Sequence, residues 1–228
     1  MPEVRRIVCL ANSRKLSGRC VAGVEIASGQ RHGWIRPVSN RPHQEVSEHE
    51  RRYQDGGDPA VLDVIDVPLL RPVPETFQQE NWLLDPGSHW AKAGTVPWGD
   101  LRGFLHPVEP LWADGYSTSH GSNDRIPEER AATLTTSLRL VHVPGVSLRV
   151  SAPAADFGDT RRRVQARFEH AGVSYALQVT DPVYERRFLA KENGSYELGE
   201  CFLTVSLAEP WKGFAYKLAA TIIERPIR

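Results

Sequence analysis

The chain has 228 residues, enough for one large domain or two small ones, and a folded chain of this length buries roughly 70% of the surface its unfolded form exposes. Its 28 basic and 28 acidic residues cancel, which excludes a global electrostatic attraction to nucleic acid or membrane and leaves any such preference to local patches. No apolar run approaches the ~18 residues of a membrane span, no leader-like segment opens the chain, and the widely spaced Cys9, Cys20 and Cys201 read as buried free thiols of a cytoplasmic protein rather than a disulfide framework or metal site.

Val4 to Leu10 is the first strand candidate, ended by the polar Asn12-Ser13-Arg14-Lys15. Gly18 to Ile26 places Cys20, Ala22, Val24 and Ile26 at a spacing of two, which sends all four toward one face of a strand. Ala27 to His32 turns the chain, and Gly33 to Val38 returns it, with Pro37 confining the strand's end to a sheet edge or rim. Pro42 to Tyr53 reads as a short surface helix, stopped by Asp55-Gly56-Gly57-Asp58-Pro59. Val61 to Leu70 is a half-buried fourth strand with Asp63 and Asp66 solvated, and Glu80 to Leu84 is placed to close a barrel as its fifth.

The same order returns in the second half. Leu138 to Val143 and Val146 to Val150 form a first strand broken at Pro144-Gly145, and Arg163 to Val179 is a hairpin whose two arms both alternate. Asp181 followed by Pro182 starts a short helix, Asn193-Gly194 ends it, Cys201 to Leu207 is a fourth strand and Phe214 to Ile223 a fifth. Three strands, a short helix and further strands is the arrangement of the OB-fold, and its repetition implies two of them. The fold expected is therefore all-β with short helices: a first barrel over residues 1–85, an ordered Trp-rich connection over 86–136, and a second barrel over 137–228. Within the connection, 114–124 is the most mobile stretch expected, and Trp90, Trp98 and Trp112 pin the remainder to the barrels.

Basic residues crowd the first hairpin: Arg14, Lys15, Arg19, Arg31, Arg36 and Arg41 against the single acid Glu25. With Trp34 beside Arg36, this suits backbone phosphates and a stacked base, on the strands an OB barrel uses for oligonucleotides. The competing reading makes Trp34 core and arginine merely the preferred surface cation, with the acids between 44 and 66 neutralising the patch. A second patch, Arg161, Arg162, Arg163 and Arg167, sits on the outward positions of the second hairpin. No metal-ligand spacing, nucleophile elbow or glycine-rich phosphate loop is present, so no catalytic residue, metal or cofactor is expected.

RKLSGRCVAGVE and GWIRPVS within Arg14 to Ser39, LTVSLAEPWKGFAYKLAATII at Leu203 to Ile223, ENWLL and NDRI resemble the prokaryotic dual OB-containing domain family, over nearly the whole chain. The resemblance implies two OB barrels and, by analogy among such folds, a nucleic-acid or nucleotide ligand. Its motifs direct attention to Lys15, Arg19, Trp34, Arg36 and Ser39, and to Lys212, Tyr216 and Lys217, with Trp211 and Phe214 packing the junction of the barrels. The leading expectation is a non-catalytic module for single-stranded nucleic acid. A nucleotide or small-anion pocket between the barrels, and a scaffold that takes a protein partner on its Trp-rich connection, are the alternatives.

Overall fold

In the computed structural model, which describes residues 2–153, 158 and 160–226, β1 (Glu3–Lys15) is long enough to serve two neighbours. Glu3 to Val8 pairs antiparallel with β4 (Asp63–Pro72), and Ile7 to Lys15 with β2 (Gly18–Ala27), across a bulge at Cys9/Ala11 that bends the strand around a barrel. Ser28 and Gly29, both at positive φ, make a two-residue turn into β3 (Gln30–Val38), tighter than the turn expected from the sequence. Pairing of β3 with β2 ends at Ile35, ahead of Pro37, and β3 continues in parallel with β5 (Asn81–Leu84), which also pairs with β4. The order β1-β2-β3-β5-β4, with β4 returning to β1, closes the barrel, and β6 (Ala91–Thr95) extends the β5 side of β4.

Between β3 and β4 the expected helix shrinks to one turn, α1 (Glu48–Arg51), held by a reciprocal capping box between Ser47 and Glu50. The residues before it are committed elsewhere: Gln44 has φ 58° and closes a loop onto Ser39, and Val46 exchanges both backbone hydrogen bonds with Arg19. The core of this barrel is Ile7, Cys9, Val21, Ile35, Ile65, Val67, Leu69, Leu84 and Trp90. Val21, not Cys20, points into it, and Ala22 and Val24 are buried outside that cluster, so both faces of β2 are covered over these positions and alternation alone misassigned them. Asp63 is likewise not solvated. It is buried and accepts hydrogen bonds from Tyr53 Oη (2.8 Å) and the Ala60 amide (3.0 Å), with Lys92 Nζ at 2.6 Å.

The second barrel repeats the plan with one change. Its first strand is two pieces, β8 (Leu138–Val143) and β9 (Val146–Ser151), separated at Pro144-Gly145 as expected; β8 pairs with β13 (Cys201–Leu207) and β9 with β10 (Arg163–His170). β11 (Val173–Val179) runs parallel to β14 (Phe214–Glu224), the counterpart of β3 and β5. α3 (Pro182–Leu189) starts at the Asp181 N-cap, and β12 (Gly194–Leu198) adds an edge strand beside β9 that alternation did not announce.

The chain divides into Met1–Phe104 with Thr135–Ser137, and Leu105–Leu134 with Leu138–Arg228, so the segment 86–136 is shared between the two units. Trp90 is part of the first core and the 3-10 helix Trp98–Phe104 stays with that unit, whereas Leu111 and Trp112 pack on the second core. β7 (Arg125–Pro127) pairs with β14, Ser122 bridges Ala176 of β11, and α2 (Glu128–Ala131) follows. The loop expected to be mobile is cross-tied: Asp124 accepts from the Thr118 amide (2.7 Å) and hydroxyl (2.6 Å), and Asn123 from the Gly115 amide (2.7 Å). Among the described residues no helix is long and apolar enough to cross a membrane.

Candidate nucleic-acid interface

Several of the basic residues on the first hairpin are spent on the protein itself. Arg36, 4% exposed, donates through Nη2 to the Ser137 hydroxyl (2.5 Å), lies 3.0 Å from Glu80 Oε1, and reaches Asn81 Oδ1 at 3.4 Å. Ser137 in turn donates to Glu80, completing a buried network within the first unit. Trp34 is buried beside it in sequence. Ser39 is buried and donates to Glu50 Oε1 (2.6 Å); burial pushes the Glu50 carboxyl up, but the bonds from Ser39 and Ser47 and the charge of Arg41 hold it below the usual range. Arg31 donates to the Gly103 carbonyl (2.6 Å) and stacks 4.3 Å from the Phe104 ring centre. The structure thus corrects the assignment of Arg36, Trp34 and Ser39 to a ligand surface, while Lys15 and Arg19 remain half-exposed.

The second hairpin differs. Its inward positions, Val164, Ala166 and Phe168, enter the core, which turns Arg163, Gln165, Arg167 and Glu169 outward. Register places Arg163 opposite Ser151, Gln165 opposite Arg149, and Arg167 opposite Ser147, so Arg149 joins Arg163 and Arg167 as exposed guanidinium groups on adjacent strands of one face. Gln178 continues the row on β11 opposite Gln165. An open groove of about 670 Å³ begins at Arg167 and is lined further by Ser122, Ser147, Ser174, Glu169 and Glu197, so acids border the arginines at that end. Arg162 is not part of this face in function, since it donates to Asn193 Oδ1 (2.9 Å) and to the Leu189 carbonyl (3.0 Å).

Lys217 is a second correction. Rather than reaching a ligand surface, its side chain is fully buried, donating to the Ala113 carbonyl (2.8 Å) and Asp114 Oδ1 (3.1 Å), with Nζ 5.1 Å from the centre of the Tyr175 ring. Desolvation lowers its pKa against the opposing pull of Asp114. The Tyr175 hydroxyl donates to that same carboxylate (2.8 Å) and accepts from the Leu111 amide (2.9 Å), so the group fastens 111–114 to the barrel and offers no open site. Lys212 is exposed and Tyr216 half-exposed, flanking Trp211, which is 60% exposed and not the packing residue the sequence suggested.

Burial pushes the Cys9 and Cys201 thiols up to about 12, which removes both as thiolates near neutral pH. Among the described residues no group of three or more histidine, cysteine or acidic side chains is placed to hold a metal. Of the residues singled out in the sequence, only Arg163 and Arg167 are brought together on an open face, with Lys212 and Tyr216 gathered at the β13–β14 turn. Arg149 went unnoticed because its strand was not paired with the hairpin in advance; the alternation of Ser147, Arg149 and Ser151 with Val146, Leu148 and Val150 carried the signal.

Two barrel-like sheets, the first closed by β1 pairing with β4 and the second wrapped by a first strand split into β8 and β9, each with a parallel pairing of its third and last strands and a short helix between its third and fourth, define a tandem OB-fold protein. The chain belongs to the dual OB-containing domain family, whose model matches residues 5–222. No curated protein and no solved structure is similar enough to count as a match.

Proposed function

We propose that the protein is a binding module for single-stranded nucleic acid, and that its main contact surface is the outer face of β9 and β10 rather than the first hairpin. The observation that carries this reading is the row of exposed arginines, Arg149, Arg163 and Arg167, on adjacent strands of the second barrel, interleaved with Gln165 and serines. Guanidinium groups in this arrangement meet a phosphate backbone, and Gln165 holds one of them in place, accepting from Arg167 Nε (3.0 Å) while its amide donates to the His120 carbonyl (2.5 Å). Arg36 of the first hairpin adds nothing to such a surface, because it already has a buried carboxylate partner.

A triple variant, Arg149→Glu with Arg163→Glu and Arg167→Glu, tests the placement by fluorescence anisotropy with a labelled oligothymidylate at several salt concentrations. Binding is expected to weaken more than tenfold, and the slope of log K against log salt to fall in magnitude by about 2, since each lost phosphate contact on a single strand removes about 0.7. Wild-type affinity and slope in the folded triple variant would sink the proposal.

A further inference from the structure

The β13–β14 turn presents a cluster of aromatic rings that the barrel does not consume. Lys212 (φ 52°) and Gly213 (φ 79°) form a two-residue turn of left-handed conformations, closed by Trp211 N to Phe214 O (2.9 Å) and Phe214 N to Trp211 O (3.2 Å). A lysine held at positive φ is a backbone cost tolerated where the position is fixed by its surroundings. This tight turn projects Trp211 outward at 60% exposure, the Lys212 ammonium lies 4.4 Å from its ring centre, and the Tyr216 ring centre is 6.1 Å away. Neighbouring rings carry cations too: Arg125 sits 4.1 Å over Phe214, and Arg130 is 5.5 Å from Tyr116.

We propose that Trp211, with Lys212 and Tyr216, is a stacking platform for an unpaired base of a single-stranded nucleic acid. The inference rests on the nucleic-acid reading above and extends it to a site of different chemistry. A lone exposed tryptophan is ordinary, but one gathered with a second ring and a cation at a rigid turn presents the kind of π-faced surface on which a base stacks. The patch adjoins the arginine face: Ser122 bridges Ala176, the strand partner of Arg167, and Arg125 of the same segment pairs with Tyr216. One oligonucleotide of the ~4–16 nucleotides that an OB barrel takes can run from one to the other.

Charge separates the roles of the two surfaces. Glu128, Glu129 and Glu209 lie in sequence beside the patch and offset Arg125, Arg130 and Lys212, so the platform adds base stacking with little attraction for the backbone. Its contribution is therefore insensitive to salt.

Trp211→Ala is expected to weaken binding of oligothymidylate by about 5- to 150-fold, the range for loss of one stacked base, with the salt slope unchanged. Trp211→Phe should retain most of the affinity, and an abasic oligonucleotide of equal length should bind wild type and Trp211→Ala alike. Because Trp211 is exposed, its replacement is expected to leave the fold intact, which circular dichroism verifies. Wild-type affinity in Trp211→Ala, while the arginine triple variant loses binding, overturns the platform alone. An equal loss on the abasic strand also overturns it, by making the patch a backbone contact. If wild type binds no oligonucleotide, both proposals fall; if Trp211→Ala then also dissolves a dimer seen by sedimentation, the patch is a protein contact.

Discussion

Arg36 and Arg163 look alike in sequence, each an arginine alternating with apolar residues on a hairpin arm, yet one is a buried structural cation and the other an exposed one. What separates them is non-local: Glu80 and Ser137 reach Arg36 from distant parts of the first unit, and no local pattern foretells that meeting. Removing one partner of a buried pair leaves an uncompensated charge, at a cost of about 3–5 kcal/mol, whereas replacing both with apolar residues of similar size costs far less. Glu80→Ala is accordingly expected to lower unfolding stability in urea by about 3–5 kcal/mol, with much of the loss recovered in Arg36→Met combined with Glu80→Leu. A change in Glu80→Ala below about 0.5 kcal/mol, the level of an ordinary surface site, would contradict this account. Lys217 teaches the same lesson in the second barrel, where its partners come from 113–114. The candidate site was legible only in part for this reason: alternation marked Arg163 and Arg167 as outward, but burial of Arg36, Ser39 and Lys217 required tertiary partners.

Elements were easier to read than residues, because strands of a barrel bury one face and leave a period of two. The break at Pro144-Gly145, the second hairpin, β13 and the start of α3 fall where their sequences put them. β6 (AKAGT) and β12 (GSYEL) escaped because they are edge additions held by backbone pairing, with little side-chain pattern to announce them. α3 is the element whose anchoring rests most on one residue. Asp181 Oδ1 accepts from the amides of Val183 (2.9 Å) and Tyr184 (3.2 Å), and Oδ2 from the buried amide of Ile222 on β14 (3.1 Å). The side chain is therefore at once a helix cap and a tie between helix and barrel. Losing the cap costs about 0.5–2 kcal/mol, and orphaning a buried donor about 1–3 more. Asp181→Ala is expected to destabilise the protein by about 1.5–5 kcal/mol in urea titration. A loss under about 1 kcal/mol would mean the tie to Ile222 is dispensable.

Across the whole molecule, both barrels bury weak acids in their protonated form, and this fixes the direction of the pH dependence. Desolvation raises the thiols of Cys9, in the first core, and Cys201, in the second, from 9.0 to about 12. Desolvation likewise raises the phenols of Tyr53, Tyr175 and Tyr184, each of which donates to a carboxylate: Asp63 (2.8 Å), Asp114 (2.8 Å) and Glu224 (2.7 Å). For every one of these groups the folded pKa exceeds the unfolded one, so above the unfolded value the native state holds more protons than the unfolded chain. Stability is then fully present below pH ~9 and is lost as pH rises through the window toward the folded values. Each thiol contributes a loss of about 2 kcal/mol by pH ~10.5, midway through its window, and the phenols join above pH ~10. Lys217 acts in the opposite sense, because its folded pKa is depressed and deprotonation relieves a buried charge, but it is one group against five. Thermal melts are therefore expected to hold steady from pH ~7.5 to ~8.5 and to fall steeply from pH ~9 to 11. The double variant Cys9→Ala, Cys201→Ala should fall more slowly than wild type throughout pH ~9 to 11, because each thiol steepens the loss until its folded value of about 12 is reached, while the tyrosines supply the fall that remains. Superposable pH profiles for the two proteins would show that the buried thiols are not the source of the alkaline loss.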